Sequence, residues 1–368
     1  MSDTYGRAVT LTVFGESHGP AVGAVLTGLP GGVPVDEAFV ARQMEKRRAK
    51  GKISTARREA DRVRFVSGVY QGCTTGTALT LVIENTNTRS GDYEKTALLA
   101  RPGHADYTAR VQAGGFNDPR GGGHTSGRLT APLVAAGAVC QSMLLQKGIC
   151  IGTHLAACAG VADAALPGDP AKLAAALAAL DTAEFPVLDA AQGAAMRAAI
   201  EASAAQGDSV GGVLETAVTG LPAGVGEPFF ESVESQLAAL LFSIPAVKGV
   251  EFGGGFALAA LRGSAANDPF CIRDGHVATA TNNNGGVNGG ITNGMPVILR
   301  TAVKPTPSIY KPQHTVDLAA MQEAELQIAG RHDPCIAHRA RAVQDALTAF
   351  GLADLLAQRW GKDWREAF

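Results

Sequence analysis

The chain has 368 residues, 46% hydrophobic and 18% charged, with a formal net charge of −2. This is the composition of a globular protein long enough to bury a sizeable core, and the near-neutral balance argues against a general nucleic-acid binder. Glycine is abundant (45 residues) and aromatics are scarce (5%), so much of the backbone must turn tightly or approach something closely. The six cysteines show no C-x-x-C spacing and read as reduced, mostly buried thiols of a cytoplasmic protein. No basic segment followed by an apolar core opens the chain, and no apolar run is expected to reach the ~18 residues of a membrane span.

In chain order, "AVTLTVFG" (8–15) alternates like a half-buried strand and "AVGAVLTG" (21–28) reads as a second. Asp36 is an N-cap for a helix through "EAFVARQMEKRRA". Strands are expected at 63–69 and 78–84. A long Ala/Leu/Val helix is expected from Thr125 to Gln146, capped by Thr125 or Ser126 and stopped by Gly148. The Ala-rich stretch 159–207 predicts peripheral helices. A strand (213–219), a helix (about 230–242), strands at 256–262 and 296–303, and a C-terminal helix (about 336–358) complete the pattern. Thr27-Gly28-Leu29-Pro30-Gly31-Gly32-Val33 is echoed by Thr219-Gly220-Leu221-Pro222-Ala223-Gly224-Val225, each between a strand and a helix. The echo implies two similar halves in one α+β body. No Pro/Ser-rich linker marks a boundary.

Several stretches carry chemistry. Gly15-Glu16-Ser17-His18-Gly19 fits the G-x-S-x-G nucleophile elbow, but an elbow needs a helix after the serine. Here Pro20, two glycines and β-branched residues follow, so the segment reads as strand, tight turn, strand, with its polar side chains at a strand end. His104 in "RPGHADY" joins His18 as a candidate neutral-pH proton donor. "DPRGGGHTSGR" (118–128) reads as an anion cradle opening a helix, flanked by Arg120, His124 and Arg128; it has neither the Lys-Ser/Thr ending of a P-loop nor a dinucleotide fingerprint. The basic run 47–64 is interrupted by "GKIST" and fits a loop folding over an anionic substrate, without the interleaved aromatics of a nucleic-acid site. Lys304 and Ser308 in "KPTPSI" are available to phosphate. "RHDPCIAHR" (331–339) lacks helix-phased metal ligands and reads as a helix start, with Asp333 as cap and Pro334 at the first helical position.

Together "FGESHGPAVG", "RREAD", "IENTNTRSGDY", "RPGHADY", "RGGGHTSGR", "AVKGVEFG", "GGVNGGITNG", "KPTPSI" and "GRHDPC" resemble the chorismate synthases over nearly the whole chain, the 159–207 region contributing nothing. The resemblance implies one domain over 1–368 with a variable Ala-rich helical insert at 159–207, built from antiparallel sheets sandwiched with helices. It implies a lyase of the shikimate pathway to the aromatic amino acids. The reaction is a 1,4-elimination of phosphate from 5-enolpyruvylshikimate 3-phosphate, giving chorismate and depending on reduced FMN (FMNH2). The family is tetrameric, so a homotetramer is implied. By position, His18 would protonate the departing phosphate, His104 would donate a proton near flavin N1, and Asp333 would assist at flavin N5, with Ser17 and Ser126 completing the network. The flavin would lie against His124, Thr125, Ser126, Pro245, Ala246, Gly289, Lys304, Pro305, Thr306, Pro307, Ser308 and Arg331. Arg47, Arg48, Lys52, Arg101 and Arg128 would hold substrate anions or NADPH. No reductase module is evident, so an external flavin reductase is implied, with NADPH an indirect reductant. The chain departs from the family pattern at His124, where Arg is common, at Pro245 for Asn or Gln, at Lys52 for Arg, and at Asp345 for Glu. Its basic loop is about one residue shorter than in some members.

Overall fold

The computed structural model describes residues 3–49, 51, 53–54, 60–86, 98–328 and 332–368. The first half runs β1 (Thr4–Gly6), β2 (Thr10–Gly15), β3 (Ala21–Thr27), α1 (Glu37–Arg47), β4 (Arg64–Ser67), β5 (Leu79–Glu84) and α2 (Thr130–Leu145). The second runs β6 (Cys150–Cys158), β7 (Val161–Ala162), α3 (Pro170–Thr182), α4 (Ala190–Ala205), β8 (Gly212–Thr219), α5 (Val233–Phe242), β9 (Val247–Phe252), β10 (Val297–Val303) and α6 (Ala337–Trp360). Each half holds a five-stranded sheet, ordered β1-β2-β3-β5-β4 and β7-β6-β8-β10-β9. Every neighbouring pair is antiparallel.

The duplication read from the turns is therefore structural. In each half two strands lead through a Thr-Gly-Leu-Pro turn to a helix, then to two strands added in reversed order, then to a long helix. The two turns repeat the same contacts. Gly28 and Gly220 have φ of 83° and 78°, and a Cβ on them would sit 2.0 Å from the Ala8 carbonyl oxygen and 2.2 Å from that of Gly148. Only glycine fits both demands. Buried Thr74 donates to the Pro30 carbonyl and accepts from the Val33 N–H; Thr292 does the same for Pro222 and Val225.

The helices α2 and α6 pack on each other between the two sheets, α2 against β3 and β5, α6 against β6 and β8. Both are buried around most of their circumference, as an all-round apolar helix must be. Their close approach depends on Gly137, where a Cβ would lie 2.3 Å from the Ala346 carbonyl oxygen. The stretch Arg120–Leu145 is long and apolar enough to cross a membrane by length and composition, contrary to the reading that no run reaches that length. It is 89% buried over its most apolar window, which is the environment of a core helix.

Asp354 on α6 fastens the first half to the second. It is 2% exposed and accepts the backbone N–H groups of Arg7 (3.1 Å), Ala8 (2.8 Å) and Val9 (2.8 Å). Asp354→Ala strands these donors and should cost about 3 kcal/mol or more. The check is a urea midpoint that falls with unchanged slope, with Asp354→Asn losing less; an unmoved midpoint would show the contacts contribute nothing. Asp345, two and a half turns earlier on α6, is also buried. It accepts a 2.6 Å bond from Thr153 Oγ1, and burial pushes its carboxyl above the ordinary range.

Four expectations need correction. The 256–262 strand is a 3-10 turn (Gly255–Ala260), forced by Gly253 and Gly255 at φ of 54° and 50°; the strand lies earlier, at β9. The 63–69 strand breaks at Gly68 (φ 80°), after which Val69–Tyr70 joins a separate small sheet. The Ala-rich insert is not merely peripheral: Leu173, Leu177 and Leu180 pack on Ala217 and Ile298 of the second sheet. Of the six free thiols, Cys140, Cys158 and Cys335 are buried, but Cys73, Cys150 and Cys271 are only half-buried.

Candidate active site

The site begins where β2 stops. Gly15 has φ 101°, and a Cβ there would lie 2.4 Å from the Ala21 carbonyl oxygen, so the turn into β3 must start with glycine. Asn85, just past β5, clamps that turn by donating Nδ2 to the carbonyls of Glu16 (3.0 Å) and Gly19 (2.9 Å). The turn leads straight into an antiparallel strand. Ser17 therefore has no following helix to polarise an oxyanion, and the elbow pattern is a coincidence. Ser17 and His18 are buried, 1% and 8% exposed.

The Gly-rich loop lies on this turn. Gly121, Gly122 and Gly123 have φ of 60°, 84° and 53°, a run of left-handed backbone that L side chains resist. A Cβ on Gly121 would stand 2.7 Å from the His18 ring and 3.0 Å from Ser17 Oγ. The Ser17 N–H donates to the Gly123 carbonyl at 3.1 Å. Because of these glycines the long helix starts at Thr130 rather than Thr125, and Ser126 caps only a short 3-10 turn through Arg128 N–H (3.3 Å). His124 Nδ1 donates to the Gly15 carbonyl (2.7 Å) and its Nε2 lies 3.3 Å from Asp3. Thr125 Oγ1 donates to the Gly122 carbonyl (2.8 Å). Both side chains thus brace the loop.

Arg47 and Arg128 meet at Asp61, which is 8% exposed and has φ 44°. Arg47 Nη1 is 3.2 Å from Asp61, its Nε donates to Thr130 Oγ1 (2.8 Å) and its Nη2 to the Gly127 carbonyl (2.9 Å). Arg128 Nη1 contacts the other Asp61 oxygen, and its Nε donates to Asn85 Oδ1 at 2.8 Å. Two guanidinium groups thus converge on one buried carboxylate beside the His18 turn. Arg48 pairs with Glu45 at 2.5 Å. Arg101 makes a fork to Asp106 through Nε and Nη2, both 2.7 Å. Burial opposes the charge on Asp106, yet Arg101 holds its carboxyl below the usual range. Arg101 also flanks the Gly-rich loop, 3.8 Å from where a Gly122 Cβ would be.

The turn that carries Arg101 carries His104 to a second cluster. His104 Nε2 and Ser308 Oγ are 2.7 Å apart, and Lys304 Nζ donates to the Gly103 carbonyl at 2.6 Å. Lys304 N–H donates to the carbonyl of Ala246 (2.9 Å), which has φ 75° and follows Pro245. The Thr306 carbonyl accepts Ser209 Oγ (2.6 Å), while Thr306 Oγ1 is buried without a hydrogen-bond partner among the described residues. Pro305 packs beside Gly211, and Pro307 against Gly103. Burial first, then the charge of Arg101, lowers His104 to about 4. This ring is therefore neutral at pH 7, where the sequence alone suggested an ordinary titrating histidine.

Asp333 does not cap α6, which starts at Ala337 without a side-chain cap; its carboxylate pairs with Arg339 Nη1 at 2.6 Å. Gly289 (φ 62°) tops a short hairpin that packs on Gly226 and Ser232, and a Cβ there would meet nothing within 4 Å. Lys52 and Arg331 lie outside the described residues. Sequence reasoning missed Asp61, Asn85, Asp106 and Arg339. All four stand inside stretches already quoted, Asp61 in "RREAD", Asn85 in "IENTNTRSGDY", Asp106 in "RPGHADY" and Arg339 at the end of "RHDPCIAHR", but nothing in those stretches marked them individually.

A family model described as chorismate synthase matches residues 9–357. The chain is 47% identical over 359 residues to the chorismate synthase of Thermococcus gammatolerans, covering 98% of each. It is 45% identical to those of Chitinophaga pinensis (97% of this chain, 98% of that one) and Archaeoglobus fulgidus (96% and 97%). A solved chorismate synthase crystal structure superposes with a TM-score of 0.77 at 27% identity, covering 98% of this chain and 95% of that one.

Proposed function

The chain belongs to the chorismate synthase family, and from that premise we propose how its residues divide the work of eliminating phosphate from 5-enolpyruvylshikimate 3-phosphate to give chorismate. The enzyme is a lyase, and its family generally uses reduced flavin. The observation that carries the reading is the seating of His18. It is a buried imidazole on a strand-end turn, covered by a loop that leaves no room for a side chain at position 121. That is a dry, fixed proton donor of the kind a phosphate leaving group needs.

His18 protonates the departing phosphate, and Ser17 and Ser126 complete the hydrogen-bond network with Asp333. Arg47, Arg48, Arg101, Arg128 and Lys52 supply positive charge for the substrate's anionic groups or for NADPH. The residues present fit FMN: Thr306 Oγ1 is a buried hydroxyl without a partner among the described residues, beside Lys304 and Ser308, and such a group is normally satisfied by something. His124, Thr125, Ser126, Pro245, Ala246, Gly289, Lys304 to Ser308 and Arg331 hold the cofactor. When bound, reduced FMN supplies electron density to the breaking bond and recovers it. His104 donates a hydrogen bond near flavin N1, and Asp333 handles a proton near N5.

The chain acts as one domain over 1–368, in the cytoplasm, with reduced flavin delivered by an external reductase that spends NADPH. It works as a homotetramer: Phe229, Phe230, Phe256, Phe270 and Ile272 are each at least 70% exposed, more bulky apolar surface than a monomer usually shows. Light scattering should give four chains per particle; the mass of one chain would end this part of the reading.

The test of function is anaerobic. Protein, chemically reduced FMN and 5-enolpyruvylshikimate 3-phosphate are mixed and chorismate is followed by its ultraviolet absorbance. Product is expected with reduced but not oxidised FMN. Oxidised FMN with NADPH should fail unless a reductase is added. No product from a protein that binds both ligands would leave it a flavin-binding protein without this activity.

A further inference from the structure

We infer that Arg339 is a positioning residue of the site, holding Asp333 against the end of the helix that carries Arg47. The inference rests on the proposed role of Asp333 in proton transfer. Arg339 lies in the first turn of α6. Its Nη1 is 2.6 Å from Asp333 Oδ2 and its Nε donates to the Arg47 carbonyl at 2.8 Å. The two side chains of the ion pair are 19% and 14% exposed, so water competes little for either. Arg47 is the last residue of α1, where helix carbonyls lack intrahelical partners and the dipole favours a cation. One guanidinium therefore ties the flavin-side carboxylate to the helix end that carries Arg47, whose own side chain meets Arg128 at Asp61.

The geometry calls for arginine specifically. A planar fork can send Nε to a carbonyl and Nη1 to a carboxylate at once, whereas a lysine ammonium is a single point charge on a flexible stem. Asp333 is held by the fork of a residue six positions further on rather than by capping the helix, because α6 begins only at Ala337. Removing the fork leaves the Asp333 carboxylate present but loosely aimed, and a misplacement of about 1 Å can cost ~10²-fold in rate.

The experiment compares Arg339→Gln, Arg339→Lys, Asp333→Asn and the Arg339→Gln/Asp333→Asn double variant with the wild type. Each is assayed anaerobically with reduced FMN and 5-enolpyruvylshikimate 3-phosphate. Affinity for oxidised FMN, by quenching of its fluorescence, and thermal unfolding are measured in parallel. Arg339→Gln should lower kcat by ~10²-fold with KM and FMN affinity within ~3-fold of wild type. Arg339→Lys should recover part of the loss. The double variant should be no slower than Asp333→Asn, and the unfolding midpoints should be non-additive, as expected for residues in contact. Wild-type kcat in Arg339→Gln, losses that multiply in the double variant, or additive midpoints would overturn the inference while a slow Asp333→Asn leaves the role of Asp333 standing. Wild-type turnover in Asp333→Asn would overturn that role, and this inference with it.

Discussion

His18→Ala should yield a folded protein whose turnover falls by ~10²-fold or more, the scale on which a positioned general acid contributes. The ring is buried under the Gly-rich loop, and thermal unfolding checks that the variant still folds. His104→Ala should lose turnover on the same scale, but its stability should respond differently to acid. Burial and the Arg101 charge lower His104 to about 4, against 6.5 for a free imidazole. In the wild type the unfolded chain takes up a proton below about 6.5 while the folded chain refuses it until about 4. Stability from this group is therefore full above the free value and is lost as pH falls through the window between the two. His104→Ala should flatten that part of the melting-temperature profile. Wild-type rates in both variants would remove the histidines from the mechanism. A fluorophosphonate probe should leave Ser17 unlabelled throughout, because the turn it stands on lacks the helix of a nucleophile elbow.

The sequence was most legible where periodicity and turn chemistry agree. Strand β5 alternates cleanly, and β2 and β3 fall where their β-branched runs between glycines put them. Asp36 accepts the Phe39 N–H as a cap should, and the two Thr-Gly-Leu-Pro turns disclosed the internal duplication before any coordinate. It failed where tertiary pairing overrides composition. Strand β6, "CIGTHLAAC", is poor in strong β-formers, yet neighbours on both sides fix it as a strand. The start of α2 was misplaced because three successive left-handed glycines cannot be read from their identity alone. In the site, the residue types were legible and their partners were not. Nothing in a linear string says that Asp61 joins Arg47 to Arg128. The same holds for Arg339, which bonds a carbonyl 292 positions away. His124 shows the limit from the other side: its divergence from the common Arg is visible in sequence, but its brace to Gly15 and Asp3 is visible only in space.

Gly121→Ala should be nearly as damaging as losing His18, although it removes no chemical group. At φ 60° an alanine costs about 1–2 kcal/mol, which a protein of this size absorbs with a modest fall in melting temperature. The added methyl would stand 2.7 Å from the His18 ring and 3.0 Å from Ser17 Oγ, where ordinary contacts need several tenths of an ångström more. Either the ring swings away or the loop lifts, and each breaks the donor geometry; a shift of about 1 Å predicts a loss of ~10²-fold in kcat. Gly122→Ala separates this from simple backbone strain. It carries the same left-handed penalty (φ 84°), yet its nearest new contact is an ordinary 3.7 Å to Ser126 Cβ. If the glycines serve only to let the loop turn, both variants should lose stability and activity in parallel. If the loop is shaped to seat His18, the two should melt alike while Gly122→Ala retains far more turnover. A Gly121→Ala enzyme with unchanged kcat would mean that the seating of His18 is not what the reaction depends on.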